Sequence, residues 1–391
     1  MSNILAAKTI PCDGAPNGRN VRNLVCGVTY KGLFIKLNKV TAVDLGLPVV
    51  RGTPDASARP NSPLLVDRFG RVAKDLRVSL TDRCNLRCTY CMPAEGLDWL
   101  RKDELLTDAE LIRLMRIAVV DLGVTDIRFT GGEPLLRRGL EQVIAATAEL
   151  EPRPRMSMTS NGIGLSRRAK SLKDAGLNRI NVSLDTLDPD RFATLTRRDR
   201  ITDVLDGLDA AREAGLEPVK VNSVLMRGVN DDEAVPLLRF CVENGYQLRF
   251  IEQMPLDAQH GWTRTNMVTA DEILEMLSTA YTLTPEETPR GGAPAERWLV
   301  DGGPSVVGVI ASVTRPFCAA CDRTRLTSDG QIRNCLFSQG ETDLRALLRD
   351  GSPDEAIADA WRATMWAKAA GHGINDAGFH QPDRPMSAIG G

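Results

Sequence analysis

From residue 75 to residue 281 short β-branched segments alternate with amphipathic ones, without an internal sequence repeat. The β-type segments fall at 76–81, 126–130, 155–159, 179–184, 219–226 and 247–254. Helix-type segments fall at 107–122, 138–150, 165–175, 201–214, 233–244 and 269–281. In the first of these, Leu111, Leu114, Met115, Ala118 and Leu122 share one face, and Thr107 with Glu110 forms a capping box at its start. Thr269 and Glu272 repeat that box. Strands joined by helices must cross over, which makes them parallel and the fold class α/β. In a parallel β/α barrel the chemistry gathers at the C-terminal strand ends. Here the unusual residues sit late in the strands: Gly131 and Gly132 after the second, Thr159 closing the third, Ser183 the fourth, Met254 the sixth.

The first strand runs into Cys84-Asn85-Leu86-Arg87-Cys88-Thr89-Tyr90-Cys91. Three thiols so close wrap one metal centre. A [4Fe–4S] cube usually takes four cysteines, so three leave one iron free for a non-protein ligand. A structural zinc site is the alternative, and it wants a fourth ligand nearby. The histidines, His260, His372 and His380, all lie far along the chain. A disulfide framework fits poorly, because the nine cysteines are odd in number and six sit in two tight groups.

Residues 282–305 are rich in Pro and Gly and read as a linker, followed by a strand at 306–313. Then comes a second incomplete set, Cys318, Cys321 and Cys335, with a zinc knuckle completed by Cys241 or a histidine as its alternative. Cys241 sits in an apolar helical context that favours core burial. Two incomplete sets suggest that one open iron holds a cofactor and the other meets a substrate. Ser352 and Glu355 frame a further capping box, with Pro353 at the first helical position and a helix to about Ala370.

Charged residues occupy strand positions where apolar ones are expected: Arg77, Arg128 and Lys220. Arg323 and Arg325, two apart, share a face on an extended chain. Buried cations require an anion, and this set suits a polyphosphate. No G-x-x-x-x-G-K-[ST] loop exists, so side chains must hold the phosphates. The balance of 49 Lys and Arg against 51 Asp and Glu argues against nucleic-acid or membrane partners. No apolar run reaches the roughly 20 residues of a membrane span, and clustered free thiols fit a reducing, cytoplasmic setting. The first 60 residues differ, with eight Lys or Arg against Asp13, Asp44 and Asp55. Residues 1–68 read as a loosely ordered extension in which Cys12 and Cys26 are isolated thiols, with short strands at 28–30 and 33–37.

The Cys84–Cys91 octapeptide, with Tyr90 directly before its third cysteine, resembles the signature of radical S-adenosylmethionine (SAM) enzymes. In that superfamily SAM chelates the unique iron, and one electron from the cluster releases a 5′-deoxyadenosyl radical. Together with C-x2-C-x13-C, Arg-x-Arg and the terminal Gly390-Gly391, it resembles the GTP 3′,8-cyclase family from about residue 69 to 391. The resemblance implies an incomplete (βα)6 TIM-type barrel over 69–290 and a C-terminal region, 291–391, carrying a second cluster. It implies a lyase that converts GTP to (8S)-3′,8-cyclo-7,8-dihydroguanosine 5′-triphosphate, with 5′-deoxyadenosine and methionine as co-products, as the first step of molybdenum cofactor biosynthesis. Two [4Fe–4S] clusters would be held by Cys84, Cys88 and Cys91 and by Cys318, Cys321 and Cys335. SAM would meet Tyr90, Gly132, Ser183 and Met254. GTP would meet Arg77, Arg128, Thr159, Lys220, Arg323, Thr324 and Arg325, with Arg323, Arg325, Gly390 and Gly391 closest to the chemistry. An external electron donor and a downstream cyclic pyranopterin monophosphate synthase are the implied partners, and the chain would act as monomer or homodimer. A radical SAM enzyme that modifies a peptide and a zinc-binding interaction protein are the rival readings.

Overall fold

The computed structural model describes the backbone of Thr29–Tyr30 and Leu33–Phe34, and residues 56–390. Cys12, Cys26 and Gly391 lie outside the described residues. The chain divides into two units, Met1–Val49 and Val50–Gly391. In the first, Thr29–Tyr30 pairs antiparallel with Leu33–Phe34, within the segments expected to be strands.

The second unit is built on twelve strands among the described residues. The six repeated strands are β1 (Asp75–Ser79), β2 (Arg128 at its centre, Asp126–Thr130), β3 (Arg155–Ser160), β4 (Arg179–Ser183), β5 (Lys220–Ser223) and β6 (Gln247–Ile251). Six more follow: β7 (Leu283–Pro285), β8 (Glu296–Val300), β9 (Val306–Ile310), β10 (Arg323–Leu326), β11 (Gln331–Arg333) and β12 (Thr342–Asp343). Their order in the sheet is β12-β11-β10-β1-β2-β3-β4-β5-β6-β9-β8-β7. The six are parallel in chain order, β10 adds in parallel beside β1, and β9 adds in parallel beside β6. Antiparallel strands then cap both edges, and no pairing joins β7 to β12 among the described residues. Residues 282–305 are therefore not simply a linker. They hold β7, at the sheet edge, and β8 beside it, strands obscured in the sequence by the Pro and Gly around them.

Alternation along the strands divides the molecule into an apolar layer and a polar hollow. Leu76 and Val78, Ile127 and Phe129, Met156 and Met158, Ile180 and Val182, and Leu248 and Phe250 all belong to the main core. Successive strand side chains point to opposite faces. The intervening Arg77, Arg128, Thr159 and Arg249 accordingly line a cavity. Helices α1 (Asp108–Arg116), α2 (Leu140–Ala148), α3 (Ala169–Asp174), α4 (Pro189–Thr196), α5 (Ile201–Glu213), α6 (Ala234–Glu243) and α7 (Ala270–Ser278) cover the apolar face with residues such as Leu111, Val143, Leu172, Val204, Leu237 and Ile273. Both Thr–Glu capping boxes form at the starts of α1 and α7. Beyond Arg116 the first helix widens into a π-turn, Ile117–Asp121.

Two further helices, α8 (Leu344–Arg349) and α9 (Asp354–Trp366), pack on the β10–β11 side. The box at Ser352 does not form. Pro353 is itself the N-cap of α9, and the Ser352 hydroxyl instead bonds Asp350 at 2.7 Å. Residues 59–68 are tied down rather than loose. Leu65 is fully buried in the core, and Arg59 pairs with Asp359. The apolar run Leu64-Leu65-Val66 supplies that anchor inside an otherwise polar stretch.

Candidate active site

A cavity of about 360 Å³ opens on the polar face of the sheet. Its cations come into register. Arg325 of β10 stands opposite Arg77 of β1, which stands opposite Arg128 of β2. Two unit charges about 5 Å apart, the spacing of paired strands, repel by roughly 3 kcal/mol at an effective dielectric near 20. Arg249 and Arg323 line the same cavity, and Lys220 lies on the same face of β5 as the lining residue Asn222. The carboxylate facing them is Asp75, which accepts from Arg77 at 3.0 and 3.2 Å. Burial raises the Asp75 carboxyl, but Arg77, Arg128 and Arg323 outweigh it and hold it well below the usual range. Burial and the neighbouring Arg77 push Arg249 and Arg325 down to about 9, and burial with Arg249 pushes Lys220 down to about 7. Among the described residues Asp75 is the one carboxylate paired with these arginines, which leaves the group under-compensated, and a polyanion is what relieves it.

The first cysteine loop closes one side of the cavity. Glycine is required beside it. A Cβ on Gly132 would sit 2.3 Å from the carbonyl oxygen of Arg83, and one on Gly131 2.4 Å from that of Thr81. The Gly132 N–H donates to the Thr81 carbonyl at 2.7 Å, so the Gly-Gly turn is pressed directly onto the chain leading to Cys84. Glu133 then locks β2 to β3, accepting from Ser160 Oγ at 2.8 Å and from the Asn161 N–H at 2.7 Å. Burial pushes the Glu133 carboxyl up to about 7. From the far side, the last turn of α4 accepts the N–H groups of Arg87 and Thr89 on the carbonyls of Thr196 and Leu195. Tyr90 donates its hydroxyl to Asp185 at 2.6 Å, and Asp185 also accepts from the Val224 N–H. Burial pushes the thiols of Cys84 and Cys91 up to about 11 and about 12, and Cys88 up as well.

Across the cavity lie Cys318, Cys321 and Cys335. A 3-10 turn, Cys318–Ala320, carries the first two, and Cys335 follows β11. Arg71 clasps this loop to the chain before β1, donating to the Cys318 carbonyl at 2.6 Å while paired with Asp67. Burial raises the Cys321 thiol, but Lys368 and Arg323 overcome it and the net shift is downward. The tail reaches the same region. Gly390 packs against Ser79 and Thr130, and its carbonyl accepts from Arg325.

All six clustered cysteines line this one cavity, with Tyr90, Gly132, Ser183, Met254, Thr159, Arg77, Arg128, Arg323 and Arg325. Thr324 does not. It faces the helical side, where its hydroxyl accepts from Trp361 Nε1 at 3.0 Å, because alternation along β10 turns it opposite to Arg323 and Arg325. Lys220 and Gly390 are close by without lining the cavity, and Cys241 is buried in the core. Among the described residues no group of three or more Cys, His, Asp or Glu is arranged to hold a single metal ion. At the first set, three thiols with N–H groups directed at one sulfur are compatible with a cluster. The Leu86 N–H and Asn161 Nδ2 approach Cys84 Sγ at 3.5 and 3.8 Å.

Sequence reasoning missed Arg249, Asp185 and Lys368. Arg249 carried the same signal as Arg77, a charge between the apolar residues Leu248 and Phe250. The other two are marked by partners distant in sequence.

Residues 78–241 match the family described as Radical SAM superfamily, and residues 246–374 the one described as Molybdenum Cofactor Synthesis C. A "GTP 3′,8-cyclase" of Streptomyces coelicolor is 68% identical over 337 residues, 86% of this chain and 99% of that protein. The chain belongs to the GTP 3′,8-cyclase family of radical SAM enzymes. A second GTP 3′,8-cyclase, from a Mycobacterium species, is 64% identical over 352 residues, 90% of this chain and all of that protein. Among solved structures, Streptococcus suis SuiB superposes with a TM-score of 0.51 at 16% identity, covering 75% of this chain and 67% of SuiB, a likeness of fold alone. GTP 3′,8-cyclases are lyases that open molybdenum cofactor biosynthesis, and as radical SAM enzymes they use a [4Fe–4S] cluster and SAM. No helix among the described residues is long and apolar enough to cross a membrane.

Proposed function

We propose that the cavity cyclises GTP with two [4Fe–4S] clusters, one on Cys84, Cys88 and Cys91 and the other on Cys318, Cys321 and Cys335. Bound there, the first cluster with SAM supplies a carbon-centred radical able to take hydrogen from an unactivated ribose carbon. Such a reagent attacks almost any C–H bond, so selectivity must come from position. The chain supplies position in three ways. Tyr90, Gly132, Ser183 and Met254 hold SAM beside the first loop, with Asp185 fixing Tyr90. Arg77, Arg128 and Lys220, joined by Arg249, take the triphosphate, and Thr159 contacts the nucleotide between them. The strip Arg323-Thr324-Arg325 spans from phosphates to base, Thr324 through its backbone, and Arg325 draws in Gly390.

The observation that carries this reading is the Arg325–Arg77–Arg128 register beside six free cysteines in one cavity. Residues 69–290 form the SAM-binding part and 291–391 the part for the second cluster. An external donor supplies the electrons, a cyclic pyranopterin monophosphate synthase takes the product, and the enzyme works in the reducing cytoplasm as monomer or homodimer.

The hydrogen lost from C3′ leaves on 5′-deoxyadenosine, and one electron with one proton restores the count, so the product is an isomer of GTP. Anaerobic turnover of GTP deuterated at C3′, with SAM and dithionite, tests this. Deuterated 5′-deoxyadenosine and a chromatographically new nucleotide of unchanged formula, apart from the exchanged label, are expected. Deuterium retained on unaltered GTP, or equal turnover of ATP, contradicts the assignment.

A further inference from the structure

The second cysteine set has a lysine built into it. Lys368 stands two residues beyond α9 and closes its last turn, its N–H donating to the Met365 carbonyl at 3.0 Å, and it is 3% exposed. The ammonium donates to the carbonyls of Cys321 at 3.2 Å and Arg323 at 2.8 Å. It also lies 3.4 Å from Cys321 Sγ. Among the described residues no carboxylate pairs with it. Burying an ammonium is costly unless an anion compensates. Two carbonyl dipoles do part of that, and the remaining atom in reach is a sulfur, which is anionic only as thiolate. Arg323 Nη1 approaches the same sulfur at 3.7 Å. At the first set, by contrast, Cys84 Sγ receives neutral N–H groups, from Leu86 and Asn161.

We propose that Lys368 is a positioning residue for the second cluster: it pins the Cys321 loop to β10 and, as a cation on a ligand sulfur, raises that cluster's reduction potential. Charge and hydrogen bonds at the sulfurs are what set such potentials. The proposal rests on the two-cluster reading, and its test separates the two.

The full chain, reconstituted anaerobically, is titrated by EPR with and without Lys368→Met, Lys368→Gln and Lys368→Arg. The component that changes on adding SAM is the first cluster. Met and Gln are expected to lower the other component's reduction equilibrium at least tenfold, about 59 mV for one electron. The SAM-responsive component should stay in place, and Lys368→Arg should restore the value of the unaltered chain. Selective loss of the second cluster in the Met and Gln variants, rescued by Arg, supports the same role. Both clusters loaded with the second potential unmoved in Met and Gln overturns it. If the unaltered chain shows only the SAM-responsive component, the two-cluster reading itself falls, and this proposal with it.

Discussion

The two cysteine sets face one cavity from opposite ends of the chain, and their surroundings differ in sign. Around Cys84, Cys88 and Cys91 the neighbours are neutral amides, the carboxyls of Glu133, Asp185 and Asp257, and one cation, Arg87, and all three thiols are pushed up, mainly by burial. In the second set burial pushes the Cys318 thiol up, but around Cys321 the neighbours are Lys368 and Arg323, and that thiol is pushed down. Identical ligand chemistry placed in unlike fields gives sites of unlike affinity for electrons and anions. The negative side suits a SAM sulfonium. The positive side continues into the arginine register and suits a polyphosphate nucleotide. This contrast agrees with the proposed placement of SAM at the first set and the nucleotide at the second.

The largest effects should separate the sets. Cys84→Ala is expected to abolish SAM cleavage while leaving the second cluster in place. Cys318→Ala should abolish cyclised product yet leave reductive SAM cleavage measurable as 5′-deoxyadenosine. Loss of both clusters in either variant, read by iron content and EPR, would mean the sites are not independent. Gly132→Ala comes next. Its Cβ collides with backbone rather than a movable side chain, so the first cluster and SAM binding should both be lost, with the second cluster's signal unchanged.

A smaller effect is expected at the positive end. Arg128→Met removes a half-buried guanidinium that makes a 3.3 Å contact to Ser157. Losing a hydrogen bond to a charged group costs about 1.5–3 kcal/mol, roughly a ten- to hundredfold weakening of GTP binding. Calorimetry should show GMP affected much less, and equal losses for GTP and GMP would place Arg128 away from the phosphates. The smallest effect is Tyr90→Phe, which removes the bond to Asp185 and should lower stability by about 1 kcal/mol in denaturant unfolding with the first cluster retained.

The contrast between the two ends also explains what was legible. Alternating apolar and charged residues fixed the strands closely: 126–130 is the observed β2, and 155–159 falls one residue short of β3. The predicted strand 219–226 ran too long because Val224 leaves the sheet to donate to Asp185, a partner distant in sequence. Helix α4 was missed although Asp188 is its N-cap and Pro189 its first residue, a start signal without a long amphipathic run behind it. That helix anchors the first cysteine loop. The cysteines and arginines were visible because their types are out of place where they stand. Lys368 and Arg71 were not, since an isolated cation looks like surface until its partners across the fold are known.

The most direct measurement is the iron and sulfide content of the anaerobically reconstituted full chain, with its Mössbauer spectrum. About eight irons per chain, as two [4Fe–4S] clusters each with one distinct iron site, are predicted. About four irons, or zinc at either set, would contradict the account.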